Sequence, residues 1–91
     1  MRREVLKRES WEGAARAVLE RGGRLVALWG AERRQQYFVC AAYATPEGLL
    51  WAELPLAGGA TYPDLSAVFH FAGRMQRAVG DLLGLSAEEA M

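Results

Sequence analysis

Apolar positions along the chain change period twice. Trp11, Ala14, Ala15, Val18 and Leu19 recur at helical spacing, with Ser10 in front as an N-cap and Gly22-Gly23 behind as a stop. The pattern predicts a first helix over about 11–21. Three runs rich in branched and aromatic residues follow: "RLVALWG" from Arg24, "QYFVCAAYA" from Gln36 and "GLLWAELPL" from Gly48. "AERRQ" and "TPEG" join them, and links this short predict antiparallel neighbours. Pro55 cannot donate to a ladder, so the third strand is expected to fray there or to lie at an edge. "AGGATYPDLS" reads as a loop. Helical spacing then returns in Phe71, Ala72, Met75, Val79 and Leu82, flanked by Ala78 and Leu83. Asp64 and Ser66 both suit an N-cap, which puts the start of this helix between 65 and about 70. Gly84, followed by Leu85, stands where a C-terminal cap belongs. "SAEEAM" reads as a stub leading elsewhere, and the charged stretch from Arg2 to Glu9, around Val5 and Leu6, as an arm or a short edge strand.

The predicted fold is therefore α+β in two layers: helix, three-stranded antiparallel meander, helix, with the stretch around Val5 either an arm or a short extra strand. The chain reads as one domain over 1–91, whole or as a fragment of something longer. Its strands do not alternate apolar and polar. Tyr37, Val39, Ala41 and Tyr43 point one way while Phe38, Cys40 and Ala42 point the other. An antiparallel sheet with one wet face alternates cleanly. Two helices cover one face of so small a sheet, so the second face is expected to be apolar and open, as an interface. The alternative is that helices and loops wrap both faces.

Composition points the same way. The apolar fraction is 52%, above the roughly 45–50% of ordinary globular chains, although small domains have more surface to cover. Eleven basic and eleven acidic residues cancel, so no global field recruits nucleic acid or an anionic membrane. The N-terminal "MRREVLKRESW" is too charged for a signal peptide, and no apolar run reaches the roughly 18 residues of a membrane span. A single cysteine excludes an intramolecular disulfide and fits a reducing, cytoplasmic setting.

Candidate chemistry is sparse. One histidine and one cysteine on different elements do not make a zinc or iron–sulfur site. Cys40, in mid-strand, reads as a small core residue. No phosphate-binding glycine loop is present. Ser66 stands one turn before His70, but Asp81 lies three turns beyond it and cannot orient the imidazole, so a self-contained hydrolase is disfavoured. "QYFVCAAY" has the aromatic content of an RNA-binding strand without its basic-glycine opening or its one-faced aromatics. Neither a cofactor nor a metal is expected.

There remains a stripe of His70, Arg74, Arg77 and Asp81, at spacings of four, three and four. Asp81 in a last turn opposes the helix dipole, at a cost of about 0.3–1 kcal/mol. Arg77 precedes it by four residues, the weaker order for a helical ion pair. A tertiary or interfacial role explains the pair better than local energetics do, for example an Arg–Asp contact that fixes the helix against a loop.

The same segment resembles one shared by the 30 kDa subunit family of respiratory complex I (NADH dehydrogenase) and its relatives in membrane-bound [NiFe] hydrogenases such as formate hydrogenlyase. That segment runs aromatic-Pro-Ser-Leu-Thr, then Ala-x-Trp-x-Glu-Arg-x-x-x-Asp-x-x-Gly. Tyr62, Pro63, Leu65 and Ser66 stand at its first part, and Ala72, Arg77, Asp81 and Gly84 at its second, with the same spacing. Arg74 replaces the family's tryptophan, Gln76 its glutamate, and His70 a position often held by proline. These departures suit the divergent hydrogenase branch. The resemblance covers about a quarter of the chain at motif level.

It implies a non-catalytic, cofactor-free subunit of an NADH dehydrogenase or hydrogenase complex that packs on the catalytic large subunit and the iron–sulfur subunit. Such a subunit is cytoplasmic, or on the cytoplasmic face of the inner membrane, and meets the membrane only through its complex. Pro63, Ala72, Arg74, Arg77, Asp81 and Gly84 are then docking and helix-fixing residues. A stand-alone homodimeric interaction domain using the same open sheet face is the second reading, and single-stranded RNA binding the third.

Overall fold

Helix α1 begins where the chain leaves the sheet. The first strand, β1 (Arg2–Val5), lies parallel to a later strand, and the Leu6 amide donates to the Glu53 carbonyl before the chain turns into α1 (Arg8–Glu20). Lys7 occupies the N-cap position without a side-chain hydrogen bond, and Ser10 lies inside the first turn. The expected Ser10 cap is therefore displaced by three residues. The anchored β1 sets the start of the helix in place of a capping side chain.

The C-terminus of α1 follows expectation. Gly22 adopts φ 80°, its amide donates to the Leu19 carbonyl, and the Gly23 amide donates to the Val18 carbonyl. This is the paired closure that a left-handed glycine permits. Gly23 is required for space as well. A Cβ there would lie 2.7 Å from both the Ala44 carbonyl oxygen and Val18 Cγ1.

The computed structural model describes residues 2–56, 61–83 and 86–88. After α1 come β2 (Arg24–Arg33), β3 (Gln36–Thr45), β4 (Gly48–Leu56), β5 (Thr61–Pro63), α2 (Ala72–Leu83) and β6 (Ser86–Glu88). The fold is α+β, as the pattern predicts. Its main sheet is wider than the expected meander, with four strands in the order β1-β4-β3-β2, the β1–β4 pair parallel and the others antiparallel.

The "AERRQ" link is mostly strand. β2 runs to Arg33, β3 starts at Gln36, and Arg34 and Gln35 turn the chain with φ 52° and 65°. Two consecutive positive φ values match the right-handed twist of a hairpin. Arginine and glutamine lack the asparagine–glycine signature, which hid the turn. At the other hairpin Pro46 and Gly48 serve as expected. Gly48 has φ 118°, and Thr45 Oγ1 donates to the Gly48 carbonyl at 2.7 Å.

Pro55 neither ends β4 nor frays it. β1 has paired its last residue by Glu53, so Pro55 lies where β4 itself becomes the edge. "TYP" and "SAE", read as loop and stub, pair in parallel as a two-stranded sheet. Strands of three residues carry too little periodicity to show in the sequence. Helix α2 begins at Ala72, later than predicted, because residues 66–71 form turns. His70 is thus outside the helix, and Phe71 is 69% exposed instead of joining the apolar stripe.

Both helices pack on one side of the main sheet. Register places Val39 opposite Leu54, Ala41 opposite Ala52 and Tyr43 opposite Leu50. Trp11, Ala15 and Val18 of α1 and Ala72 and Val79 of α2 join these residues in one buried cluster, with Tyr62, Leu65, Val68 and Phe69 completing it.

Candidate functional site

Among the described residues, no helix packs on the opposite face of the sheet. Register again decides its members. Trp29 pairs with Cys40, Cys40 with Glu53, Ala42 with Trp51, and Phe38 with Pro55. On the β1 side, Arg3 faces Trp51 and Val5 faces Glu53. Trp29, Phe38, Trp51 and Pro55 are partly exposed, while Val5 and Leu49 are 67% and 50% exposed. The expected open apolar face is present.

At its centre lies a charged cluster that the sequence reading missed. Glu53 is only 3% exposed. Its Oε1 accepts from Arg3 Nη2 at 2.5 Å and its Oε2 from Arg33 Nη2 at 2.9 Å. Each arginine also lies against an aromatic ring, Arg3 5.4 Å from the centroid of Trp51 and Arg33 4.3 Å from that of Phe38. Trp29 meets Trp51 edge to face at 5.1 Å. Arginine planes over aromatic rings and a shared carboxylate make a layer whose parts hold one another in place.

Burial raises the Glu53 carboxyl, but the hydrogen bonds and charges of Arg33 and Arg3 outweigh it and hold the group below the usual carboxylate range. Burial is the largest single influence on this carboxyl, and it takes the two arginines together to overcome it. Beside it, Cys40 has its thiol pushed up to about 11, first by burial and then by the Glu53 charge. That thiol stays protonated near neutrality and is a poor nucleophile. One clue was available: Glu53 is the lone charge in "GLLWAELPL", and a carboxylate in an apolar strand needs a partner. The partners are distant in sequence and are revealed only by register.

The residues singled out from the C-terminal motif are distributed differently. Pro63 ends β5, and Ala72 is fully buried at the start of α2. Arg74 and Arg77 are exposed on α2, and no hydrogen bond or ion pair of the Arg77 guanidinium appears among the described residues. The side chain of Asp81, and Gly84 altogether, lie outside the described residues. Among the described residues, Gln76 makes a helix-to-loop tie. Its Oε1 accepts from the Leu65 amide at 2.9 Å and its Nε2 donates to Asp64 Oδ1 at 2.7 Å. Asp64 also accepts from the Ser66 amide and hydroxyl. Burial raises the Asp64 carboxyl, but the bonds from Gln76 and Ser66 hold it below its ordinary value. A buried glutamine with both amide ends used is a structural tie.

Among the described residues no group of three or more His, Cys, Asp or Glu is placed to hold a metal ion, and no helix is long and apolar enough to cross a membrane.

Neither a protein-family model nor a curated protein sequence matches the chain. Among solved structures it is similar to the trypsin-resistant fragment (1–134) of Nqo5, with TM-score 0.78 at 20% identity over 92% of this chain and 76% of that one. At this identity the likeness establishes a shared fold.

Proposed function

We propose that this chain is a structural or assembly subunit of a complex I-like NADH dehydrogenase or of a related membrane-bound [NiFe] hydrogenase, docking on the catalytic large subunit and the iron–sulfur subunit. The observation that carries the reading is the fold it shares with Nqo5, a complex I 30 kDa-type subunit, along nearly its whole length. Two further features support it. The segment from Tyr62 to Gly84 keeps the spacing of the family motif, and the main sheet leaves one aromatic face open, as a subunit built for contact requires. Arg74 and Arg77, exposed on α2, are candidates for a second contact. The hydrogenase branch fits the replacements at Arg74 and Gln76.

The test is purification of the tagged chain from its source organism under mild conditions. It is expected to co-elute with a large subunit and an iron–sulfur subunit and with their redox activity, while the isolated chain contributes no turnover. Recovery as a monomer or as a dimer by light scattering, with no redox partner, overturns the assembly reading. The dimer would favour a stand-alone interaction domain.

A further inference from the structure

The charges on the open face restrict what can cover it. By register, the outward positions of the four strands include Arg3 and Val5 from β1, Trp51 and Glu53 from β4, Phe38 and Cys40 from β3, and Trp29 and Arg33 from β2. Glu53 is the one acid among them, and it is already enclosed by its two arginines. The cluster of two cations and one anion is left one positive charge in excess. The Arg3 and Arg33 side chains remain 53% and 48% exposed. A guanidinium has five N–H donors, and Glu53 accepts one hydrogen bond from each arginine. In the free chain water solvates the remaining donors. A partner that covers the aromatic face removes that water, and an uncompensated cation at a covered interface is strongly unfavourable.

A second copy of this chain does not meet the need. Face-to-face self-association brings two more arginines and another enclosed carboxylate, so like charges meet. Nucleic acid is disfavoured on different grounds. Arg3 and Arg33 lie against the rings of Trp51 and Phe38, and Trp29 is engaged with Trp51. Bases need open aromatic faces to stack on.

We infer that the open face of the sheet is a docking surface for a protein partner that presents an Asp or Glu carboxylate to Arg3 and Arg33 within an apolar contact. This deepens the assembly reading above and rests on it. The partner's acid completes an alternating acid–arginine cluster with Glu53, and its apolar surface covers Trp29, Leu49 and Val5. Exposed apolar residues elsewhere, such as Leu19 and Phe71, stand apart from this charged cluster.

The experiment uses the full chain in its source organism with a photo-crosslinker, Val5→p-benzoylphenylalanine. Val5 lies beside Glu53 in the register and is 67% exposed, so the probe leaves the fold intact. The control probe replaces Phe71, which is 69% exposed and precedes α2. The expected result is an adduct from position 5 with one polypeptide other than this chain, close to an Asp or Glu. Arg33→Glu is expected to lower that adduct by about tenfold or more, the scale of losing one buried interfacial charge contact. Lysine in place of the mapped acid is expected to restore it. If Arg33→Glu proves unfolded by circular dichroism, the position-5 adduct in the unaltered background and Arg33→Gln decide instead. Adducts only between copies of this chain, only with nucleic acid, or only from position 71 overturn the inference. In the last case a co-eluting redox complex leaves the assembly reading standing. An adduct beside an acid on a protein unrelated to any redox complex keeps the docking surface and removes the assembly reading.

Discussion

The two faces of the main sheet are built from the same strands, residue by residue in alternation, and they solve opposite problems. The covered face is filled by Val39, Ala41, Tyr43, Leu50, Ala52 and Leu54, closed under Trp11, Ala15 and Val18, and among the described residues the one buried charged side chain, Glu53, lies on the other face. The open face is as rich in large side chains, yet Trp29, Phe38 and Trp51 keep part of their surface in water, and a glutamate sits in the middle between two arginines. Hydrophobic burial holds the first face together. Arginine–carboxylate geometry and cation–π contact organise the second. Apolar content alone therefore does not distinguish a core from an interface. The distinguishing feature is where the charges sit and whether they are satisfied.

The comparison breaks first if the covered face is not the main source of stability. Trp11 is fully buried against it, and Trp11→Ala is expected to cost about 3–5 kcal/mol. For a domain of this size that is a large share of a total near 5–15 kcal/mol. Thermal melting of the purified variant, with a shift of about 4–8 °C for each kcal/mol, provides the check. A loss of only a few degrees would mean that α1 is not the main cover.

A smaller effect is expected on the open face. Glu53→Gln keeps the shape and removes the charge that both arginines share. Because those arginines retain access to water, the cost is about 1–2 kcal/mol, less than for a fully buried ion pair. The sign with pH follows from the depressed Glu53 carboxyl. Its contribution is complete above the ordinary carboxylate range and is lost as pH falls through the lower folded value. Urea midpoints of wild type and variant should therefore differ near neutrality and converge in acid. A gap that persists undiminished at the lowest pH would show that the charge is not what holds the cluster.

Much of the fold was legible because its signals are local. The stop at Gly22-Gly23, the bounds of β4 and the non-alternating strands all follow from neighbours in sequence, and together they point to the open face without any knowledge of register. The features that escaped depend on register or on distance in sequence. Arg3, Arg33 and Glu53 come from three strands, and their meeting requires the parallel placement of β1 beside β4. The two-residue turn at Arg34–Gln35 lacked glycine or asparagine. The Asp64–Gln76 tie spans a run of turns that helical spacing had absorbed into α2. In the motif, spacing drew attention to Arg77 and Asp81, whereas among its described side chains the buried polar one is Gln76.

Arg77 provides the finest division between stability and contact. The proposed docking on two subunits would require two surfaces, and the open sheet face is the candidate for one. Arg77 is exposed on α2, and among the described residues no hydrogen bond or ion pair holds its guanidinium, in contrast to the fully buried Trp11. Arg77→Ala is expected to leave the stability of the isolated chain within about 0.5 kcal/mol of wild type, the usual range for a surface change. Recovery of the assembled complex is expected to fall all the same, because a long arginine in a protein contact adds both packing and hydrogen bonds. Melting and recovery measured on one variant divide the cases. A lower melting temperature returns Arg77 to the helix-fixing role that its spacing suggested, through a contact within the chain. Unchanged melting with unchanged recovery limits docking to the open sheet face and leaves Arg77 a solvated cation.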